Sequence, residues 1–198
     1  MTDKFFDIDG GILLWLQEHL RNGFLTPVIK GITYLGDHGI IMITACLLLL
    51  IIPKTRKLGI MCSISLAMTF LMNNLILKNL VARTRPYEVV EGLSCLVGKQ
   101  HDYSFPSGHS GAAFAVASVI YSQTPKKVGI PVVILALLIA LSRLYVGVHY
   151  PSDVLAGIIT GCLYGFIAVK LYKAAAKKLT PKDESFEEDT DEESEDYK

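Results

Sequence analysis

Between Leu58 and Leu77 the chain runs for twenty residues without a charged side chain. As an α-helix, rising about 1.5 Å per residue, that stretch matches the roughly 30 Å hydrocarbon core of a bilayer. Lys57 and Lys78 bracket it, so charge begins where lipid headgroups would. Four more apolar segments share this character: Gly39–Ile52, Ser110–Tyr121, Val128–Leu141 and Val154–Val169. Hydrocarbon offers no water to satisfy backbone N–H and C=O groups, so such segments satisfy them internally, as helices. With 51% hydrophobic residues and a mean hydropathy of +0.41, the sequence predicts an all-α, integral-membrane helical bundle with five clear spans.

Phe5–Tyr34 reads differently. Ile8, Ile12, Trp15, Leu16 and Leu20 recur at helical spacing, but Glu18, His19, Arg21 and Lys30 interrupt any twenty-residue apolar window. This is an N-terminal amphipathic helix, lying in the membrane interface or packed on the bundle. Asn22-Gly23 and Pro27 are expected to break it in two, and a sixth span arises only if it dips through the membrane. Asp37 is the expected N-cap of the first span. Gly157, Gly161 and Gly165, four apart, form a small-residue face for close helix contact, as does the Gly/Ala-rich Ser110–Tyr121 segment. Residues 1–178 thus form one membrane domain, with amphipathic helices over 1–36 and the bundle over 37–178. Residues 179–198 are densely acidic and are expected to be a disordered cytoplasmic tail. The four cysteines show neither CxxC nor metal-type spacing.

The loops give an orientation. Lys54, Arg56, Lys57, Lys126, Lys127 and the lysines after Val169 fall on one side, which the positive-inside tendency makes cytoplasmic. The other side carries three polar pieces: Lys78–Pro86, Pro106–His109 and Ser142–Asp153. Ionisable residues at the edge of a membrane are functional candidates. Lys78, Arg85 and Arg143 offer a point charge and two planar forks, a set suited to phosphoryl oxygens; taken singly, each is equally a snorkelling anchor. Ser107 and Gly108 directly precede a helix, where free N–H groups favour an anion, although Ser107 also suits a plain N-cap. His109 falls on the first turn. His149 and Asp153 stand four apart with Pro151 between, so the carboxylate can fix the imidazole tautomer and leave one nitrogen free to attack.

These three pieces, Lys78-x6-Arg85-Pro86, Pro106-Ser107-Gly108-His109 and Ser142-Arg143-x5-His149-x3-Asp153, resemble the complete tripartite signature of the type-2 phosphatidic acid phosphatase superfamily. That superfamily includes membrane lipid phosphatases, undecaprenyl-diphosphate phosphatases, glucose-6-phosphatases, soluble acid phosphatases and vanadium haloperoxidases. The chain looks like the short bacterial membrane forms. The resemblance implies His149 as a nucleophile forming a phosphohistidine, Asp153 as its orienting partner and His109 as general acid. It implies Lys78, Arg85, Ser107, Gly108 and Arg143 as phosphate ligands, and no metal or other cofactor. Arg83, Tyr87 and Asp102 lie outside the signature, as headgroup contacts or loop lining.

The leading expectation is a lipid phosphate phosphatase whose partners are its substrate and membrane lipids, not nucleic acid. Topology and chain size favour undecaprenyl diphosphate, followed by phosphatidylglycerophosphate or phosphatidate. A vanadate-dependent haloperoxidase would reveal itself by peroxide-dependent halide oxidation. A non-enzymatic transporter or lipid-binding scaffold would bind lipid phosphates without turnover.

Overall fold

A computed structural model describes residues 2–179, with side chains from 8 to 178 apart from His38. Apart from Leu179, the expected acidic tail lies outside the described residues. The regular elements among them are all helical: α1 (Thr2–Leu20), α2 (Leu25–Leu35), α3 (Ile40–Ile51), α4 (Arg56–Thr69), a π-helical stretch (Phe70–Leu77), α5 (Lys78–Val81), α6 (Pro86–Val89), α7 (Gly108–Gln123), α8 (Lys126–Tyr145) and α9 (Pro151–Leu179). Two of them, α6 and α9, start on proline, whose missing N–H and fixed φ suit a first helical position.

The centre of the bundle is α7, packed by α4, α8 and α9. It buries nine side chains or glycines between Ser110 and Ile120. Its contact with α9 is a backbone contact. A Cβ on Gly157 would lie 2.6 Å from the Ser107 carbonyl oxygen, and one on Gly161 would lie 2.5 Å from that of Gly111. The small-residue face of α9 therefore meets the small-residue face of α7, and the close approach sets Ser107 beside the start of α9.

Among the described residues, three helical segments are long and apolar enough to cross a bilayer: the stretch beginning at Pro53, α8 and α9. The bent pair α2–α3 makes a fourth. The expected five or six spans are thus not all carried by helix length. α3 has 12 residues and α7 has 16. Nearly all of α7 is enclosed by other helices, and small residues rather than long apolar ones serve that position.

The N-terminal break falls where Asn22 Oδ1 accepts from the backbone N–H groups of Phe24 (3.0 Å) and Leu25 (2.8 Å). Pro27 causes no break; it sits in the first turn of α2, where its missing donor costs nothing. α1 lies against one end of the bundle. Asp9 bonds Ser152, Gln17 bonds Gly92 and Ser94, and Arg21 bonds Tyr145 and Ser94. Ile8, Ile12 and Trp15 remain exposed on its other face. Asp37 is not the N-cap of α3. Gly39 holds that position at φ 68°, with no side-chain cap, and the Asp37 carboxylate turns inward.

Candidate active site

Four chain segments meet at the end of the bundle that α1 covers: the end of the long α4–α5 rod, the start of α7, the end of α8 and the start of α9. Arg143 lies in the last turn of α8. The chain then turns through Gly147, at φ 78°, a left-handed conformation that glycine adopts without strain. His149 follows, two residues before α9, and Asp153 lies in the first turn of α9. A carboxylate there is favoured by the helix dipole, and its Oδ2 accepts from the Tyr150 backbone N–H at 2.9 Å.

His149 is 1% exposed and Asp153 0%. The imidazole Nδ1 faces Asp153 Oδ2 at 3.6 Å and Ser104 Oγ at 3.4 Å, while Ser104 Oγ donates to Asp153 Oδ2 at 2.5 Å. On the far side of the ring, Nε2 lies 3.4 Å from Arg85 Nη1. A guanidinium only donates, so Nε2 presents a lone pair and the proton sits on Nδ1. Burial lowers the His149 pKa to about 3, against the opposing pull of Asp153 and with further lowering from Arg85 and Arg143. The ring is therefore neutral at pH 7, with one nitrogen anchored and one facing the cations.

The π-helical stretch ends at Leu77, directly before Lys78, and π-helical geometry is frequent at functional positions. Lys78 is buried and paired with Asp102. Arg85, 3% exposed, donates to the Asp102 carboxylate at 2.5 Å, to the Asp102 carbonyl at 2.9 Å and to the Val148 carbonyl at 2.9 Å. Burial alone would raise the Asp102 pKa; Lys78 and then Arg85 hold it down at about 2. Arg143 donates to Thr33 Oγ1 at 2.7 Å and stands 3.8 Å from Asp37 Oδ1. Asp37 Oδ1 also accepts from His109 Nε2 at 2.9 Å. Asp102 thus holds Lys78 and Arg85, and Asp37 holds His109 and Arg143.

Ser107 caps α7, with Oγ accepting from the Ser110 backbone N–H (3.4 Å) and hydroxyl (2.9 Å). Its own N–H donates to the Asp153 carbonyl at 3.0 Å, which ties the start of α7 to that of α9. Gly108 leaves room for its neighbours; a Cβ there would lie 3.0 Å from Asn74 Oδ1 and 3.7 Å from Lys78 Nζ. Asn74 Oδ1 and Arg143 Nε are buried without a hydrogen-bond partner. A cavity of about 750 Å³ runs from Lys78, Asp102 and His109 down past apolar Ile43, Leu47 and Phe70. A second, of about 410 Å³, lies among Lys78, Arg85, Asp102 and other polar side chains.

All eight residues singled out from the sequence come to this one end: Lys78, Arg85, Ser107, Gly108, His109, Arg143, His149 and Asp153. The family model described as the PAP2 superfamily matches residues 57–177, a range that contains every one of them. The chain belongs to the PAP2 superfamily. An undecaprenyl-diphosphatase of Sulfolobus acidocaldarius is 38% identical over 124 residues, 63% of this chain and 60% of that protein's length. The phosphatidylglycerophosphatase B of Bacillus subtilis is 31% identical over 176 residues, 82% of each chain. Among solved structures, a transmembrane PAP2-type phosphatidylglycerolphosphate phosphatase from Bacillus subtilis superposes with a TM-score of 0.69 at 28% identity. That match covers 89% of this chain and 88% of that one.

Several residues at this PAP2 site escaped the sequence reading in these roles, Asp102 with its bonds to Lys78 and Arg85 among them. Ser104 bonds His149 and Asp153, Arg83 bonds Asp153, Asp9 bonds Arg83, and Asp37 bonds His109. Arg83, which lines the polar cavity with Lys78 and Arg85, also bonds Asp153 and Asp9. Its position inside the six-residue gap between Lys78 and Arg85 was a legible signal, as was the acid Asp37 at the mouth of an apolar segment. Nothing local marks Ser104 or Asp9.

Proposed function

We propose that this protein hydrolyses a lipid phosphate or diphosphate at a membrane surface through a phosphohistidine. The observation that carries the reading is the neutral His149, whose free Nε2 faces Arg85 beside Lys78, at the polar head of an apolar cavity. Phosphate oxygens replace the carboxylates of Asp102 and Asp37 on Lys78, Arg85 and Arg143, with backbone N–H groups at Ser107 and Gly108 as further donors. The buried, unpartnered Arg143 Nε supplies another. Charge that builds on those oxygens meets donors already in place.

The His149 Nε2 lone pair attacks phosphorus, the P–O bond to the lipid breaks, and the leaving oxygen takes a proton from His109. Asp153 stabilises the positive imidazole. Water then gives a proton to His109 and its oxygen to phosphorus, the N–P bond breaks, and inorganic phosphate leaves with His149 neutral again.

Undecaprenyl diphosphate is the favoured substrate, on the resemblance to undecaprenyl-diphosphatases. The 82% mutual coverage with a phosphatidylglycerophosphatase favours phosphatidylglycerophosphate as the second reading. In this reading α3 and α7 also cross the membrane, making five spans, and the site lies on the extracytoplasmic side. Phosphate release by the purified protein from a panel of lipid phosphates, compared by kcat/KM, ranks the substrates. His149→Ala is expected to lower kcat by about 10³-fold or more. Full activity in that variant would overturn the mechanism.

A further inference from the structure

Arg83 is held by a set of partners that phosphate binding does not require. Its Nη1 donates to Asp153 Oδ1 at 2.7 Å and to Ser152 Oγ at 2.6 Å, and its Nη2 donates to Asp9 Oδ2 at 2.8 Å. The guanidinium carbon stacks 3.8 Å above the Tyr150 ring. The side chains are nearly closed to solvent, at 10% exposure for Arg83, 6% for Asp9 and 0% for Asp153. Asp9 also accepts from the Ser152 backbone N–H at 3.2 Å and from the Ser152 hydroxyl. The N-terminal helix is thereby fastened to the first turn of α9.

The two oxygens of Asp153 are divided. Oδ2 faces His149 and takes Ser104 and the Tyr150 N–H; Oδ1 takes Arg83. With Arg83 Nη1 donating to Oδ1 and Ser104 and the Tyr150 N–H donating to Oδ2, both ends of the carboxylate are held, which keeps Oδ2 aimed at Nδ1. Charge matters as much as aim. Arg83 alone beside Asp153 would cancel the negative field that an imidazolium at His149 needs. Asp9 offsets that: among the described residues, two carboxylates stand against this guanidinium. Interactions among such buried groups are weakly screened.

We infer that Arg83 and Asp9 are positioning residues for the proposed reaction, acting on His149 only through Asp153. Arg83 sets the orientation of that carboxylate, and Asp9 preserves its charge. The inference rests on the phosphohistidine reading above. α1 is then part of the catalytic apparatus and not only a membrane-surface helix.

The test is a set of mutant cycles on the full-length protein in detergent, with kcat and KM read on a radiolabelled lipid phosphate over long incubations. Arg83→Gln is expected to lower kcat about 10–100-fold while KM changes less than about 3-fold. In an Asp153→Asn background the same change should cost less than about 3-fold, because the group it acts through is already gone. Asp9→Asn, which keeps the shape of the side chain, should lower kcat by a smaller factor and also lose its effect in that background. Arg83→Lys should recover part of the loss. A purely structural role predicts equal losses in both backgrounds, and a phosphate-binding role predicts a rise in KM; either result overturns the inference. Failure of the phosphohistidine reading would show separately, as activity retained in His149→Ala.

Discussion

His149 carries the most consequential protonation state in the molecule. Its ordinary pKa of 6.5 falls to about 3 in the fold. Between those values the unfolded chain takes up a proton that the folded protein refuses. Stability is therefore full above about pH 6.5 and declines as pH falls toward 3, by up to about 1.4 kcal/mol per pH unit. The thermal midpoint in detergent should drop between pH 6.5 and 4.5, and His149→Gln should flatten part of that slope. Identical slopes in the two proteins would contradict a buried neutral ring. Such chemistry was half legible in sequence. The His149–Asp153 spacing announced the pair, because Pro151 starts a helix between them and Asp153, on its first turn, can face back toward the ring. Ser104 and Asp9 were not legible. Ser104 reaches Asp153 from 49 residues away, and Asp9 reaches Ser152 from 143 residues away, a distance that only folding of α1 across the bundle end can close.

Among elements, the α7–α9 contact governs the site. The glycine spacing in α9 and the small residues of α7 were readable as mutual faces, and the structure joins them. The π-helical stretch before Lys78 was not readable, since Phe70–Leu77 has the composition of any apolar helix. Nor was the enclosure of α7, which trades lipid-facing residues for close packing. A Cβ at Gly161 would lie 2.5 Å from the Gly111 carbonyl oxygen and 2.9 Å from the Ala115 nitrogen, both backbone atoms. Gly161→Val should therefore force the helices apart and cost about 1–3 kcal/mol. It should also lower activity, because Ser107 is hydrogen-bonded to Asp153 across the same seam. A thermal midpoint unchanged from that of the native protein would refute the close-packed seam.

For the molecule as a whole, the polar pieces gather at one end, and Lys54, Arg56, Lys57, Lys126 and Lys127 gather at the other. With the site outside the cytoplasm, a membrane-impermeant maleimide on intact cells should label Gly98→Cys and leave Lys126→Cys unlabelled, each in a Cys95→Ser background. The reverse pattern would invert the proposed orientation. Lys78 and Asp102 line both cavities, the apolar one and the polar one. A bond cut at that shared wall parts two products of opposite solubility at the moment they form. The hydrocarbon portion keeps company with Ile43 and Leu47, and the phosphate departs among charged side chains and water. Cleavage under the proposed reaction is thus also a sorting step, in which neither product retraces the path of the other.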